Sequence, residues 1–213
     1  MKKIYTLILL LSGLFGKLFS QTTDLLISEY GEGSSGNSKY IELYNGTGSS
    51  INLSDYRIWT ISNGGSWPEG SITLSGTLAT GVTYVIANNA TDVPGANLYT
   101  GSCNWNGDDA VGLAKNIASV WTLIDVVGTD GADPGSGWPV AGTANGTVDK
   151  RLTRKASICS PTTDWTISAG TTTANSQWTI TTSYTSGAAN AGHSAPCSGA
   201  TSEIQLQQPA GID

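Results

Sequence analysis

Aspartates in the middle of the chain are the side chains best suited to hold a metal ion. They are Asp108, Asp109, Asp125, Asp130 and Asp133. Calcium binds several carboxylate and carbonyl oxygens, so this set is a candidate calcium site, although its spacing matches neither an EF-hand nor a calcium-binding nonapeptide repeat. The alternative is structural. Adjacent Asp108 and Asp109 point to opposite faces of a strand, and Asx hydrogen bonds make them a turn.

Motifs for catalysis are missing from the sequence. His193 is the only histidine, which excludes a multi-histidine metal centre, and a catalytic triad needs it beside a nucleophile. We expect a structural, hydrogen-bonding role for it. The chain has no GxSxG or HExxH sequence and no phosphate-binding glycine loop before a helix. We therefore expect no enzyme activity and no cofactor apart from the calcium just considered.

Tryptophan is abundant, with seven residues in the chain. Trp67, Trp105 and Trp138 lie among Gly, Asn and Pro residues typical of loops, where an indole ring can stack on the face of a sugar. These residues are the candidate ligand-stacking positions. The alternative is that they close the open ends of the fold. Trp59 and Trp121 fall in strand-like segments, and we expect both to fill the core.

Cysteine usage permits one disulfide. The three cysteines are Cys103, Cys159 and Cys197, and an odd number leaves at least one free or paired elsewhere. Cys159 and Cys197 lie in loop-like contexts near the end of the domain, and we expect this pair. The alternative is that all three are reduced.

Residues 1–20 have the pattern of a secretory signal peptide. Lys2 and Lys3 precede an apolar run over 4–11, and small Ser20 is a suitable cleavage point. The run is too short for an anchor, because a membrane span needs roughly 20 apolar residues. We expect an extracellular or cell-surface location and no membrane span after cleavage.

Composition narrows the class of partner. Charged residues make up 12% of the chain and the net charge is −6. A negatively charged surface repels phosphate backbones, so we expect no nucleic-acid partner. The unknown partner is expected to be a protein or a glycan.

Short strand-like runs recur between turn clusters, and no segment has a helical period of useful length. In segment 25–30 we expect Leu26, Ser28 and Tyr30 on one face and Ile27 on the other. This pattern predicts an all-β fold, a two-sheet sandwich. The runs are 25–30, 40–44, 56–61, 71–74, 83–87, 110–114, 120–127, 149–154 and 177–181.

The ordered motifs resemble the lamin-tail domain in its bacterial secreted form, over about residues 24–197. His193 is similar to the closing His-Thr-Pro element of that family, although Ser194 and Ala195 depart from it. Segment 201–213 is either an edge strand or the start of a further β domain of the kind appended to secreted proteins of Bacteroidetes. The motifs that carry the resemblance are LISEY at 26–30, KYIELYN at 39–45, INLSDY at 51–56, GDDAVGL at 107–113, IDVVG at 124–128 and DPGSGW at 133–138.

The resemblance implies an immunoglobulin-like β-sandwich over residues 21–200 that is not itself an enzyme. In bacteria the family occurs on exported proteins, often beside nucleases, phosphoesterases or surface modules, and in animals at the nuclear envelope. We therefore expect a non-catalytic extracellular or cell-surface module for interaction or tethering, within a larger exported protein. The alternatives are a carbohydrate- or calcium-dependent binding module and an accessory domain of a secreted nuclease or phosphoesterase.

Overall fold

The computed structural model of the protein describes residues 21–181, 183–189 and 193. The signal-peptide prediction for 1–20, the strand expected within 201–213 and Cys197 lie outside these residues. The described chain consists of short strands, one short α-helix and a single 3-10 turn at Leu53–Asp55. In order, the strands and the α-helix are β1 Leu26–Glu32, β2 Lys39–Asn45, β3 Ile51–Asn52, β4 Tyr56–Ile61, β5 Gly70–Thr73, β6 Thr77–Leu78, β7 Val82–Ala87, β8 Leu98–Tyr99, β9 Ala110–Ile117, β10 Val120–Val127, β11 Lys150–Arg154, α1 Trp165–Ala169 and β12 Trp178–Thr181.

The strands form two main sheets that enclose one core. The larger sheet has the order β12-β11-β1-β2-β7-β8, and the smaller has the order β10-β9-β4-β5. Neighbouring strands are antiparallel, except that β7 and β8 run parallel. Strands β3 and β6 form a separate pair. This is an immunoglobulin-like β-sandwich, and it confirms the predicted fold class.

A bulge in β1 changes which of its side chains enter the core. The register between β1 and β2 shifts between Ile27 and Glu29, so the extra residue Ser28 interrupts the alternation. Ile27 and Tyr30 both lie in the core between the sheets. The expectation that Leu26, Ser28 and Tyr30 share a face is therefore wrong.

The outer face of the larger sheet is covered by the chain itself. Tyr40 of β2 packs there with Val85 and Ala87 of β7, beneath Tyr184 and Ala189. The rings of Tyr40 and Tyr184 meet edge to face, with centroids 5.9 Å apart. This face of the sandwich is a second, smaller apolar core rather than an open surface.

The smaller sheet is built around the hairpin of β9 and β10. Its turn at 118–119 has positive φ at both residues, the geometry that matches the twist of the two strands. In the adjacent strand β4, Ile58 lies opposite Leu113 of β9, and both are buried in the core. Because side chains alternate along a strand, Arg57 and Trp59 point to the outer side of this sheet.

Helix α1 is a single short segment. Its N-cap is Asp164, whose carboxylate accepts a hydrogen bond from the backbone N–H of Ile167 at 3.0 Å. It ends at Gly170, whose φ of 61° suits glycine. One turn is too short to show a helical period, which explains why the sequence did not predict it. No helix in the described chain is long and apolar enough to cross a membrane.

Candidate binding face

Asp125 is buried between the two sheets, where it forms an ion pair. Both of its carboxylate oxygens lie 2.8 Å from Nη2 of Arg154 on β11. One of them also accepts a hydrogen bond from the backbone N–H of Ile27 at 2.8 Å. The Arg154 guanidinium lies 4.2 Å from the ring centroid of Trp178. The calcium hypothesis is wrong for Asp125, because its oxygens are committed to a contact that joins the sheets.

Asp109 stabilises a turn before β9. Its carboxylate accepts hydrogen bonds from the backbone N–H groups of Asn63 and Asn106, each at 2.9 Å. Burial raises the pKa of Asp109, and the negative charges of Asp108 and Asp133 add to that rise. The contacts match the structural alternative, in which Asx hydrogen bonds shape this loop.

Asp130 and Asp133 serve their own turns, whereas Oδ1 of Asp108 is buried without a hydrogen-bond partner in the described chain. Asp130 accepts a hydrogen bond from the hydroxyl of Thr129 at 3.1 Å, and Asp133 accepts one from the backbone N–H of Gly135 at 2.7 Å. In residues 21–181, 183–189 and 193, no three His, Cys, Asp or Glu side chains are grouped so that they could hold a metal ion. The structure does not bring the predicted calcium ligands together.

Trp105 and Trp138 are core residues. Trp105 is 1% exposed, stacks on Tyr30 with ring centroids 6.2 Å apart, and donates a hydrogen bond from Nε1 to the carbonyl of Gly31 at 3.2 Å. Trp138 is 8% exposed and closes over Gly128. The sugar-stacking hypothesis is wrong for both residues, because their rings fill the interior.

Trp59, Trp67 and Trp121 lie on the outer side of the smaller sheet and are half-buried. Placing Trp59 and Trp121 in the core was wrong. Ile58, beside Trp59, takes an inward position on β4. On β10 the register with β9 shifts between Leu123 and Asp125. Trp121 lies before this shift, in the outward-facing part of the strand, and the residues from Asp125 onward are buried. Of the predicted stacking residues, Trp67 alone is not fully buried, and it too packs against the core.

Small residues of β9 form the floor of this surface. A Cβ placed on Gly112 would lie 3.3 Å from Cη2 and Cζ3 of Trp67 and 2.5 Å from Cδ1 of Leu123. The indole of Trp67, carried by the loop between β4 and β5, therefore lies against bare backbone. Trp59 is directly opposite Gly112 in the register, so it emerges on the same face.

Arg57 and Leu123 complete the surface from either side of β9. Both lie opposite Ala114, one on β4 and the other on β10. The Arg57 guanidinium carbon stands 4.1 Å from the centroid of the Trp121 ring, a cation–π contact. We call Arg57, Trp59, Trp67, Trp121 and Leu123 the outer aromatic face.

The charge of Arg57 is not balanced by an acidic side chain. Its Nε is buried without a hydrogen-bond partner, and in the described chain the ion pairs belong to other cations. Lys115, for example, bonds Asp24 at 2.6 Å. Arg57 is thus a cation over the ring of Trp121, and its Nε–H has no acceptor in the described chain.

A polar cleft of about 360 Å³ adjoins this face at the β5 edge of the sheet. Ser71 lies opposite Trp59 in the register and also lines the cleft. The lining is rich in hydroxyl and amide groups with one carboxylate, that of Glu69, which accepts a hydrogen bond from the backbone N–H of Ser62 at 2.9 Å. The lining residues are Thr60, Ser62, Glu69, Gly70, Ser71, Gly101, Ser102 and Asn104.

His193 and the cysteines lie away from the outer aromatic face. The ring of His193 packs on Tyr44 with centroids 5.0 Å apart, and burial, followed by the positive charge of Arg154, lowers the pKa of the imidazole. Within the described residues, Cys103 and Cys159 form no disulfide. The predicted partner of Cys159, Cys197, lies outside the described residues, so that pairing stays a prediction.

The sequence contains a signal for the outer aromatic face, but this signal lies in two strands and not in the loops that carry the candidate stacking tryptophans. Arg57 and Trp59 are two residues apart in one strand, and so are Trp121 and Leu123 in another. Such spacing places each pair on one face. What the sequence could not show is that the two strands flank β9 in the same sheet, which brings the pairs together.

Comparison with known proteins identifies the domain. A family model described as Lamin Tail Domain matches residues 19–131, more than half of the chain. No curated protein and no solved structure matches it. The matched segment contains β1 to β10, and β11 and β12 extend the larger sheet beyond it. Lamin tail domains are non-catalytic and immunoglobulin-like, as the sandwich described above is. The chain belongs to the lamin tail domain family.

Proposed function

We propose that the protein is an exported, non-catalytic interaction module that holds its partner against the outer aromatic face. Membership of a non-enzymatic family supports the absence of catalysis. The basic and apolar pattern of residues 1–20 supports export, and with it an extracellular or cell-surface location. In this role the domain tethers a larger exported protein to its surroundings.

One observation carries the proposal: indole rings lie on the solvent side of the smaller sheet. Surface aromatic clusters rimmed by polar groups are typical of binding sites. Trp59, Trp67 and Trp121 form such a cluster, and the cleft beside Ser71 supplies the polar rim. The corresponding face of the larger sheet is covered by Tyr184 and its neighbours.

Sedimentation with envelope and extracellular material from the producing cells tests the proposal. The purified chain is compared with its Trp59→Ala and Trp121→Ala variants. Tyr99→Ala serves as an aromatic control, because Tyr99 is 40% exposed on β8 of the other sheet. We expect wild type and the Tyr99→Ala control to sediment with the material. Trp59→Ala and Trp121→Ala should each require about tenfold more material for the same sedimented fraction.

Circular dichroism and thermal unfolding establish that each variant is folded before binding is compared. If folded Trp59→Ala and Trp121→Ala sediment as wild type does, the outer aromatic face is not the binding surface. If wild type itself does not sediment, the tethering role is wrong.

A further inference from the structure

We propose that the partner held by the outer aromatic face is a glycan that carries carboxylate groups. This inference rests on the proposed function and names the chemistry of its ligand. It combines the stacked cation at Arg57, the indole rings around Gly112 and the hydroxyl-lined cleft beside Ser71.

Arg57 accounts for the carboxylate. Its guanidinium carbon lies 4.1 Å from the centroid of the Trp121 ring, and its buried Nε has no hydrogen-bond acceptor in the described chain. A planar guanidinium matches a carboxylate in a bidentate geometry. A partly buried cation without an anion is costly, and a ligand carboxylate removes that cost.

The indole rings account for the sugar. A sugar ring has an apolar C–H face, which packs on the flat face of an aromatic ring, and hydroxyl groups at its edge. Trp67 lies against the backbone at Gly112, and Trp59 rises beside it from β4. Together they make a shallow aromatic platform suited to a flat ligand.

The cleft accounts for the hydroxyl groups. Ser62, Ser71, Ser102 and Asn104 supply neutral donors and acceptors next to the platform. Glu69 disfavours a densely charged polyanion at the same place. The combination of these neutral polar groups with the guanidinium of Arg57 fits carboxylates that are spaced along a hydroxyl-rich chain.

Calorimetric titration with a short oligosaccharide of galacturonic acid tests the inference. The comparison ligand is the same oligosaccharide with its carboxylates reduced to alcohols. We expect the acidic form to bind, and Arg57→Gln to weaken it about tenfold or more, because a charge-assisted hydrogen bond is lost. Arg57→Lys keeps the charge without the fork and should lie between the two. Tyr99→Ala should bind as wild type does.

The outcomes separate this inference from the proposed function. Equal binding of the acidic and reduced forms, or an undiminished affinity in folded Arg57→Gln, overturns the carboxylate assignment. An oligoglutamate peptide that binds as tightly through Arg57 and Trp121 overturns the glycan assignment in favour of an acidic protein. If no acidic oligosaccharide binds while sedimentation still depends on Trp59 and Trp121, the inference fails and the proposed function stands.

Discussion

Arg154 and Asp125 form a buried ion pair between the two sheets. Neither side chain is exposed, so removal of one partner leaves a charge in the core without compensation. We predict that Arg154→Met lowers the free energy of unfolding by about 3–5 kcal/mol. Urea unfolding measures this change, with Lys155→Met as the control, because the ammonium of Lys155 donates its hydrogen bond to the carbonyl of Thr173 in an exposed loop.

The double variant Arg154→Met with Asp125→Leu distinguishes two contributions to the free energy of unfolding. One is the cost of leaving a single buried charge unpaired, and the other is the net contribution of the ion pair. Apolar replacement of both partners restores only part of the lost stability. It removes the orphaned charge, but the backbone N–H groups of Ile27 and Thr162 lose their acceptor. If Arg154→Met alone is as stable as wild type, the account of this contact is wrong.

The two described thiols differ in reactivity. Burial raises the pKa of Cys103 to about 12, whereas Cys159 is half-buried near the surface. We predict that iodoacetamide at about pH 8 modifies Cys159 in the folded protein and Cys103 only in denaturant, since the thiolate is the reactive form. Peptide mass spectrometry identifies the modified residue. If Cys159 reacts only after reduction, it is in a disulfide, as the sequence predicted with Cys197.

At the scale of elements, β9 accommodates the ring of Trp67 because its outward-facing residues Gly112 and Ala114 are small. We predict that Gly112→Val displaces Trp67 and Leu123 and lowers the free energy of unfolding by about 1–3 kcal/mol, the usual cost of overpacking. Gly101→Val is the control, because a Cβ at Gly101 meets no atom within 4 Å. Equal stability of the two variants, with unchanged tryptophan fluorescence, would mean that Trp67 does not rest on β9.

Strand alternation could be predicted from the sequence, and its interruptions could not. In β2 the regular alternation of the sequence puts Ile41 and Leu43 on one face, and both lie in the core. In β1 the bulge at Ser28 reversed the pattern, because register depends on the partner strand. In β4, Ile58 and Trp59 are both apolar, so the sequence alone could not decide which one faces the core.

The burial predicted for the tryptophans was wrong for a related reason: the sequence of one segment does not show how the rest of the chain packs on it. Loop context suggested exposure for Trp105 and Trp138, but long-range packing buries both rings. Trp59 and Trp121 were assigned to the core because strands usually bury their aromatic residues. Which face of a sheet is covered is a property of the whole sandwich rather than of the segment.

The whole molecule has two unlike outer surfaces. The larger sheet is closed by Tyr184 and the residues around it, and the smaller sheet presents the outer aromatic face. This asymmetry is the reason that we propose the smaller sheet as the side that binds a partner. It also predicts that ligand binding changes the spectroscopic signals of the tryptophans on the outer aromatic face and leaves those of the buried tryptophans unchanged.

The indole N–H signals of the isotope-labelled chain, followed by NMR during titration with galacturonic acid oligosaccharide, test this claim most directly. We predict that the signals of Trp59, Trp67 and Trp121 shift in a saturable manner, while those of buried Trp105 and Trp178 stay in place. Saturable shifts confined to Trp105 and Trp178, or unchanged signals from the outer aromatic face at saturating ligand, would contradict the account.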